Sequence, residues 1–234
     1  MKSYIDELDR NIFNFVEYEG YDDRYPSLSM QAFSSDFYDE IRHASRRLFQ
    51  IFCKAAKVFQ MAPDDFARNM DMPDNLIPYL HKSNALGLPT WLSRFDFVLD
   101  VNGNLRMVEL NADTPCFLIE SYYANEVAAN YVGRKHPNIE CRKELHTFLK
   151  RMYDAVLSDK YGRNQYESMR ANKESLPKNP FVFSCFHDYF EDYGTTQFLV
   201  KELKTACPEA DTRFISFYDM KIDDDGIPLA DGSH

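Results

Sequence analysis

The sequence predicts an α/β protein, and three patterns carry that prediction. Arg94 to Asp100 and Leu105 to Asn111 are strand-like runs on either side of an Asn-Gly turn signal, the mark of a β-hairpin. Phe181 to Phe186, Thr195 to Ala206 and Arg213 to Tyr218 read in order as strand, helix and strand, a βαβ unit that implies a parallel pair. Ahead of both, Ile41, Ala44, Leu48, Ile51, Phe52, Ala55 and Phe59 recur at intervals of three and four, as on the apolar side of a helix. The expected architecture is a helical N-terminal part, a mixed sheet with a β-hairpin, and a Rossmann-like βαβ unit toward the end.

Each element has its own signals. The segment up to about Ser29 is rich in aromatic and acidic residues but shows little periodicity. The first long helix starts near Phe37, with Ser34 or Ser35 as its cap and Asp36, Asp39 and Glu40 suited to its first turn; Ala62-Pro63 ends it. A short helical turn follows Pro73 and is expected to be interrupted by Pro78. Leu118 to Tyr131 reads as helix. Ile139 to Tyr161 does too, with Leu145, Phe148, Leu149, Met152, Val156 and Leu157 along one side. Gly162 to Asn179 looks like a partly helical linker. Ligands of open parallel sheets gather at the carboxyl ends of the strands, where the loop after Phe186 holds His187, Asp188, Glu191 and Asp192. The organisation expected in sequence order is residues 1–165 carrying the helical and hairpin portion and residues 180–234 the βαβ unit. Turn signals at Asp225-Gly226 and Asp231-Gly232, with no returning strand, read as a chain that continues in a longer protein.

Composition narrows the function classes. The 37 acidic against 27 basic residues give a formal charge of −10, which disfavours nucleic acid as a partner. No apolar run approaches the roughly 18 to 20 residues that span a bilayer, so no membrane partner is expected. Five scattered cysteines without CxxC spacing support neither a disulfide framework nor a zinc site, and a cytoplasmic location fits that usage. The chain has no GxGxxG and no P-loop. Asp223-Asp224-Asp225-Gly226 fails as a calcium loop, because alignment on Gly226 puts Lys221 first and Gly232 twelfth, where acids are needed.

The hairpin carries the chemistry. A two-residue type I′ turn at Asn102-Gly103 would pair Val101 with Asn104, Phe97 with Val108, Asp96 with Glu109 and Arg94 with Asn111. Opposed residues share a face, so Arg94, Asp96, Glu109 and Asn111 would project together, with Phe95, Phe97, Leu99, Val108 and Leu110 on the other side. Two directly opposed carboxylates repel. A hard divalent cation such as magnesium, which takes carboxylate and amide oxygens, would compensate, and the Arg94 guanidinium would suit a phosphate or carboxylate held by it. The pattern alone is met more readily by an exposed hairpin in which Arg94 pairs with Asp96 or Glu109, an arrangement of little energetic weight.

Arg94-Phe95-Asp96-Phe97 followed by Glu109-Leu110-Asn111-Ala112-Asp113-Thr114-Pro115 resembles the signature of the glutathionylspermidine synthase family, which includes trypanothione synthetases and shorter bacterial acid-amine ligases. The resemblance is clearest from Tyr79 to Glu120 and continues through Phe181 to Tyr218, where Glu191-Asp192-Tyr193 looks like the family's acidic pair and aromatic. It implies a pre-ATP-grasp portion of an ATP-grasp ligase, whose nucleotide-clamping half lies beyond this chain. In that family ATP phosphorylates the carboxylate of a glutathione-like peptide, and a polyamine attacks the acyl phosphate. By position, Asp96, Glu109 and Asn111 look like magnesium ligands, and Arg94 like the catalytic cation that steadies the transferred phosphoryl group. Thr114 and Cys116 fall where small hydroxyl residues meet the peptide, and Glu191 and Asp192 where acids meet the substrates. Asp113 and Glu120 complete the substrate-facing candidates. Cys116 departs from the pattern, since a thiol is a poor hydrogen-bonding substitute for a hydroxyl. A module that binds peptide or polyamine without ATP chemistry is the alternative expectation.

Overall fold

The structure, a computed structural model, describes residues 3–17, 25–86, 90, 92–112, 115–136, 138–172 and 181–221. Among them are seven α-helices and two two-stranded sheets, a mixed α/β content as the sequence predicts. The chain forms two compact units, one of Ser29–Pro115 and one that joins Met1–Leu28 to Cys116–His234.

In the unit Ser29–Pro115, helix α1 (Ser35–Gln60) begins as expected: the Ser34 hydroxyl oxygen accepts from the Phe37 N–H at 3.2 Å. Its apolar line departs from the expected one. No residue of α1 is buried, and Ile51 and Ala55 face outward, whereas Ile41, Ala44, Leu48, Phe49 and Cys53 are half-buried. Helix α2 (Asp64–Asn69) and a 3₁₀ turn (Asp74–Leu76) lead into α3 (Ile77–Leu86). Pro78 was expected to interrupt the chain here, but it is the second residue of α3. Proline is tolerated in a first turn because that N–H has no intrahelical acceptor, and its fixed φ suits the helix. The end of α1 is tied to α3: Gln60 Nε2 donates to Ser83 Oγ at 2.7 Å, and the His81 ring bridges the Gln60 carbonyl and Asp64 Oδ1, each at 2.9 Å.

Strands β1 (Arg94–Leu99) and β2 (Leu105–Asn111) form the antiparallel hairpin, but by a different turn. Asp100 N–H donates to the Asn104 carbonyl at 2.9 Å and Gly103 N–H to the Asp100 carbonyl at 2.9 Å, so the loop has three residues. Of these only Gly103 has positive φ, at 79°, which rules out type I′, where Asn102 would need one as well. Asp100 decides the outcome. Its Oδ1 accepts from the backbone N–H groups of Asn102 and Asn104, at 2.9 and 2.8 Å, which closes an Asx turn and pulls the bend one residue upstream. Near the turn the register is therefore shifted by one, with Phe97 opposite Met107 and Leu99 opposite Leu105. A bulge between Asp96 and Phe97 then absorbs the shift, leaving Val108 as the extra residue on β2. Val108, expected on the apolar side, is 62% exposed, and Met107 takes its place opposite Phe97.

The other unit holds α4 (Asn125–Tyr131), α5 (Ile139–Tyr161), α6 (Arg163–Ala171), β3 (Phe181–Cys185), α7 (Phe190–Ala206) and β4 (Thr212–Ser216). Strands β3 and β4 pair in parallel, Phe181 with Thr212 through Cys185 with Ser216, with α7 between them in sequence. Helix α5 has the bounds the sequence predicts and buries Leu145, Leu149, Tyr153 and Leu157, while Val156, expected on that side, is 41% exposed. These residues pack with Phe198 and Leu203 of α7 and with Ile5, Leu8, Ile12, Phe13, Phe15 and Val16, so the aperiodic N-terminal segment is core. It folds as a 3₁₀ turn (Tyr4–Glu7) closed by a capping box between Ser3 and Asp6, and its apolar residues beyond that turn cover the core from irregular backbone.

Two histidines have pKa values shifted in opposite directions. Both ring nitrogens of His81 face acceptors, Asp64 Oδ1 and the Gln60 carbonyl, and donating to these holds its pKa above the ordinary value. His136, 6% exposed with no hydrogen-bond partner for either ring nitrogen among the described residues, is held below that value by burial. The stability His81 contributes is thus present below about pH 6.5 and lost as pH rises through its higher folded value, whereas His136 destabilises as pH falls below about 6.5, where only the unfolded chain takes up the proton. Proton NMR titration of the two Cε1–H signals is expected to give midpoints on opposite sides of 6.5; coincident midpoints would contradict these surroundings.

Candidate functional site

The sequence candidates divide between the two units. In Ser29–Pro115 the structure opposes Arg94 to Asn111 and Asp96 to Glu109, as expected, although both the turn and the bulge differ from the expected hairpin. The two irregularities cancel. Each is one residue, so beyond the bulge the open end regains the pairing that an uninterrupted two-residue hairpin would have had. Arg94, Asp96, Glu109 and Asn111 therefore share one face at the open end of the hairpin, while Phe95 and Leu110 share the other.

On that face Arg94 and Asp96 form a two-bonded fork, Nε to Oδ1 at 2.7 Å and Nη2 to Oδ2 at 3.0 Å. The guanidinium bonds hold the Asp96 carboxyl below the usual aspartate value. Glu109 is exposed opposite this pair. Among the described residues no group of three His, Cys, Asp or Glu side chains is placed to hold a metal ion. The hairpin set is of another kind, two carboxylates and the Asn111 amide, and its chemistry fits a hard cation that completes its shell with water or phosphate oxygens.

The remaining described candidates lie in the other unit, and two of them meet. Cys116 Sγ donates to Asp192 Oδ1 at 3.7 Å. Asp192 and Glu191 were expected in a loop; they occupy the first turn of α7, where carboxylates are favoured by the helix dipole. Glu120 Oε1 accepts from the Tyr25 hydroxyl at 3.0 Å, while its Oε2 is buried without a hydrogen-bond partner among the described residues. Burial, and then the Glu120 carboxylate, push the Tyr25 hydroxyl up to about 12, with Cys116 adding to the effect. Sequence reasoning missed Tyr25, which sits in an aperiodic stretch and touches Glu120 from 95 positions away. Asp113 and Thr114 lie outside the described residues.

The backbone around Cys116 is unusual. Phe117 has φ 78°, a left-handed conformation that costs a bulky residue on the order of 1–3 kcal/mol and tends to occur at functional positions. The next residues, Ile119–Ala124, form a π-helical segment where the sequence suggests plain helix. Such widened turns are rare and concentrate at functional sites. Asn138 Nδ2 donates to the Ser121 carbonyl of this segment at 2.7 Å, so the wider backbone keeps a polar partner. No sequence signal marks either feature.

His187, placed by the sequence in the loop after Phe186, has a structural partner: its Nδ1 meets Ser216 Oγ at 2.7 Å, and Asp188 Oδ2 accepts from the Tyr218 hydroxyl at 3.0 Å. These contacts join the two loops that leave the carboxyl ends of β3 and β4.

Fold and side chains together define an α/β protein with a polar, oxygen-rich cluster in each unit. The family described as the glutathionylspermidine synthase pre-ATP-grasp domain matches residues 4–232. The chain belongs to that family. No curated protein matches it. Among the described residues no helix is long and apolar enough to cross a membrane.

Proposed function

We propose that this chain is the pre-ATP-grasp part of an ATP-dependent, magnesium-requiring acid-amine ligase that joins a glutathione-like peptide to a polyamine. Family membership supports a ligase-related role, and the single observation that carries the finer reading is the opposition of Asp96 to Glu109 beside Asn111 and Arg94. In this reading the peptide carboxylate attacks the terminal phosphorus of ATP and ADP departs. An amine nitrogen of the polyamine then attacks the acyl carbon, loses a proton and expels inorganic phosphate. Asp96, Glu109 and Asn111 would hold magnesium, which when bound neutralises charge on the phosphate oxygens. Arg94 trades its fork on Asp96 for the phosphoryl oxygens, a fixed positive charge placed where negative charge develops. Cys116, Glu120, Glu191 and Asp192 serve substrate recognition in their own unit, and Asp113 and Thr114 are proposed to join them. The βαβ unit is read as Rossmann-like, with the nucleotide-clamping half and the cytoplasmic setting belonging to the same proposal.

The test is ATP-dependent condensation of glutathione with spermidine, followed as ADP release, by the protein that carries this chain. Asp96→Asn and Glu109→Gln are each expected to lower the rate at least about tenfold, the factor that loss of about 1.4 kcal/mol of transition-state stabilisation gives. Unchanged turnover in both would overturn the assignment.

The closed Arg94–Asp96 fork favours a second reading, a peptide- or polyamine-binding module without ATP chemistry. Calorimetric titration of the 234-residue chain with spermidine, glutathione and magnesium chloride tests it: saturable binding supports the module, silence with all three excludes it, and ATP-dependent condensation in the assay above decides for the ligase.

A further inference from the structure

The hairpin has a second side, and a cavity adjoins it. In the unit Ser29–Pro115 an open cavity of about 470 Å³ is lined by Phe49, Phe52, Cys53 and Ala56 of α1 and by Leu110 of β2. Lys57, Gln60, Ser83, Asn84, Thr90 and Ala112 supply its polar wall. That volume lies within the range of roughly 300–1,000 Å³ typical of small-molecule sites, and an apolar floor with a few polar groups is their usual make-up. Leu110 points to the side of β2 opposite Glu109 and Asn111, so the cavity is separate from the face that carries the candidate metal ligands.

The polar wall discriminates by charge. Although the chain carries a net −10, among the described residues no acidic side chain lines the cavity, and Lys57 is their single charge. The acids that follow α1 are engaged elsewhere, Asp64 with His81 and Arg68, and Asp65 and Asp74 with Arg68. Several polar groups are already committed. Ser83 Oγ donates to the Leu80 carbonyl at 2.8 Å and accepts from Gln60 Nε2, while the Thr90 hydroxyl donates to the Ala112 carbonyl at 2.8 Å. The ammonium of Lys57 and the side-chain amide of Asn84 remain as donors with no ion pair or hydrogen bond among the described residues. A ligand seated on the aromatic floor would therefore meet donors and a positive charge at its polar end. The wall is also pre-organised, because the Gln60–Ser83 and Gln60–His81 bonds clamp the end of α1 to α3.

We propose that this cavity is a binding site for a small carboxylic acid with an apolar body, its ring or chain on Phe49, Phe52 and Leu110 and its carboxylate on Lys57 and Asn84. The proposal does not depend on the ligase reading.

The 234-residue chain, titrated by calorimetry with 4-phenylbutyrate, 4-phenylbutan-1-ol and 4-phenylbutylamine, tests it. The acid is expected to bind saturably and about tenfold more tightly than the alcohol, the factor that one charge-assisted hydrogen bond supplies, with the amine weakest. Lys57→Met should bring acid and alcohol to equal affinity, Lys57→Arg should keep the preference, and Ala56→Trp should remove binding of both. Because a bulky residue could disturb α1, amide chemical shifts of the unsubstituted protein provide an independent reading; those perturbed by 4-phenylbutyrate should belong to the lining residues. Three results would each overturn the proposal: equal affinity for acid, alcohol and amine; acid binding that survives Ala56→Trp; or shifts confined to residues outside the cavity.

Discussion

Arg142→Ala is expected to destabilise the protein by about 3–5 kcal/mol, read as a lowered urea midpoint at an unchanged slope, because it strands a buried charge. Glu202 of α7 is 1% exposed, so its charge depends on protein partners. Arg142 of α5 meets both of its oxygens, at 3.0 and 2.7 Å, and reaches Glu126 with its remaining nitrogen, while His146 approaches Glu202 Oε2 at 2.6 Å. Burial alone would raise the Glu202 pKa, but the bonds from Arg142 and His146 outweigh it and hold the carboxyl below the usual glutamate value. With the folded value depressed, this stabilisation is present above about pH 4.5 and lost as pH falls through the folded value. Removal of the guanidinium reverses that balance. In the variant burial dominates, the carboxyl prefers its proton, and the deficit against the parent is expected to be larger at pH 7 than at pH 4.5. The sign separates charge from packing, since a mere loss of contacts would not vary with pH. The double variant Arg142→Met, Glu202→Leu should recover most of the loss, because apolar pairs of similar size often replace buried ion pairs at little net cost. A single-variant loss under about 1 kcal/mol at pH 7 would show that Glu202 is not the stranded charge described here.

The hairpin shows what sequence can and cannot fix. Its alternation and the Asn-Gly signal place two strands and bring Asp96 opposite Glu109, yet the turn itself is decided by Asp100, whose side chain closes an Asx turn one residue early. Short-range propensity names the residues that bend. It does not rank Asn-Gly against a neighbouring aspartate that can hydrogen-bond the same backbone. The pairing at the open end survived because a bulge took up the single-residue slip, and nothing local to Val108 announces that bulge.

Periodicity reads well where one helix face meets a core, as in α5, whose span agrees with the sequence reading of about Ile139 to Tyr161. It fails where the core is covered by irregular chain. Tyr4, Ile5, Leu8, Ile12, Phe13, Phe15 and Val16 are all buried, and although Ile5, Leu8, Ile12 and Val16 are spaced by three and four, the chain there is a 3₁₀ turn and irregular backbone rather than an α-helix. Tyr25 was invisible for the same reason. Its role comes from a contact with Glu120 across 95 positions, and such pairs are set by tertiary packing. Compactness likewise groups the first 28 residues with those after 115, a discontinuous division that no composition shift or linker signals.

Gly194→Ala tests the packing that holds α7 beside the Cys116 cluster. A Cβ at this position would lie 2.9 Å from Asn14 Oδ1, 3.0 Å from Ile119 Cδ1 and 3.1 Å from the Ile12 carbonyl oxygen. In an open helix the change to alanine stabilises by about 0.5–1 kcal/mol, through the lower backbone entropy of the unfolded chain. Here overpacking, about 1–3 kcal/mol, opposes that gain. The clash should win, because one neighbour is main chain that cannot rotate away and Ile119 is fully buried in the core. A net loss of about 1–2 kcal/mol is expected for alanine, and a larger one for valine, whose β-branch adds two methyl groups at the same point. The consequence reaches the candidate site, since Ile119 adjoins Glu120 in the π-helical segment and Asp192 lies two residues before Gly194 on α7. Moving these elements apart should lengthen the Cys116–Asp192 contact of 3.7 Å, and the rate of Cys116 alkylation by iodoacetamide, followed by peptide mass mapping, should change along with the urea midpoint. An alanine variant as stable as the parent, with Cys116 reacting at the parental rate, would mean that α7 and Ile119 are not in the close contact described.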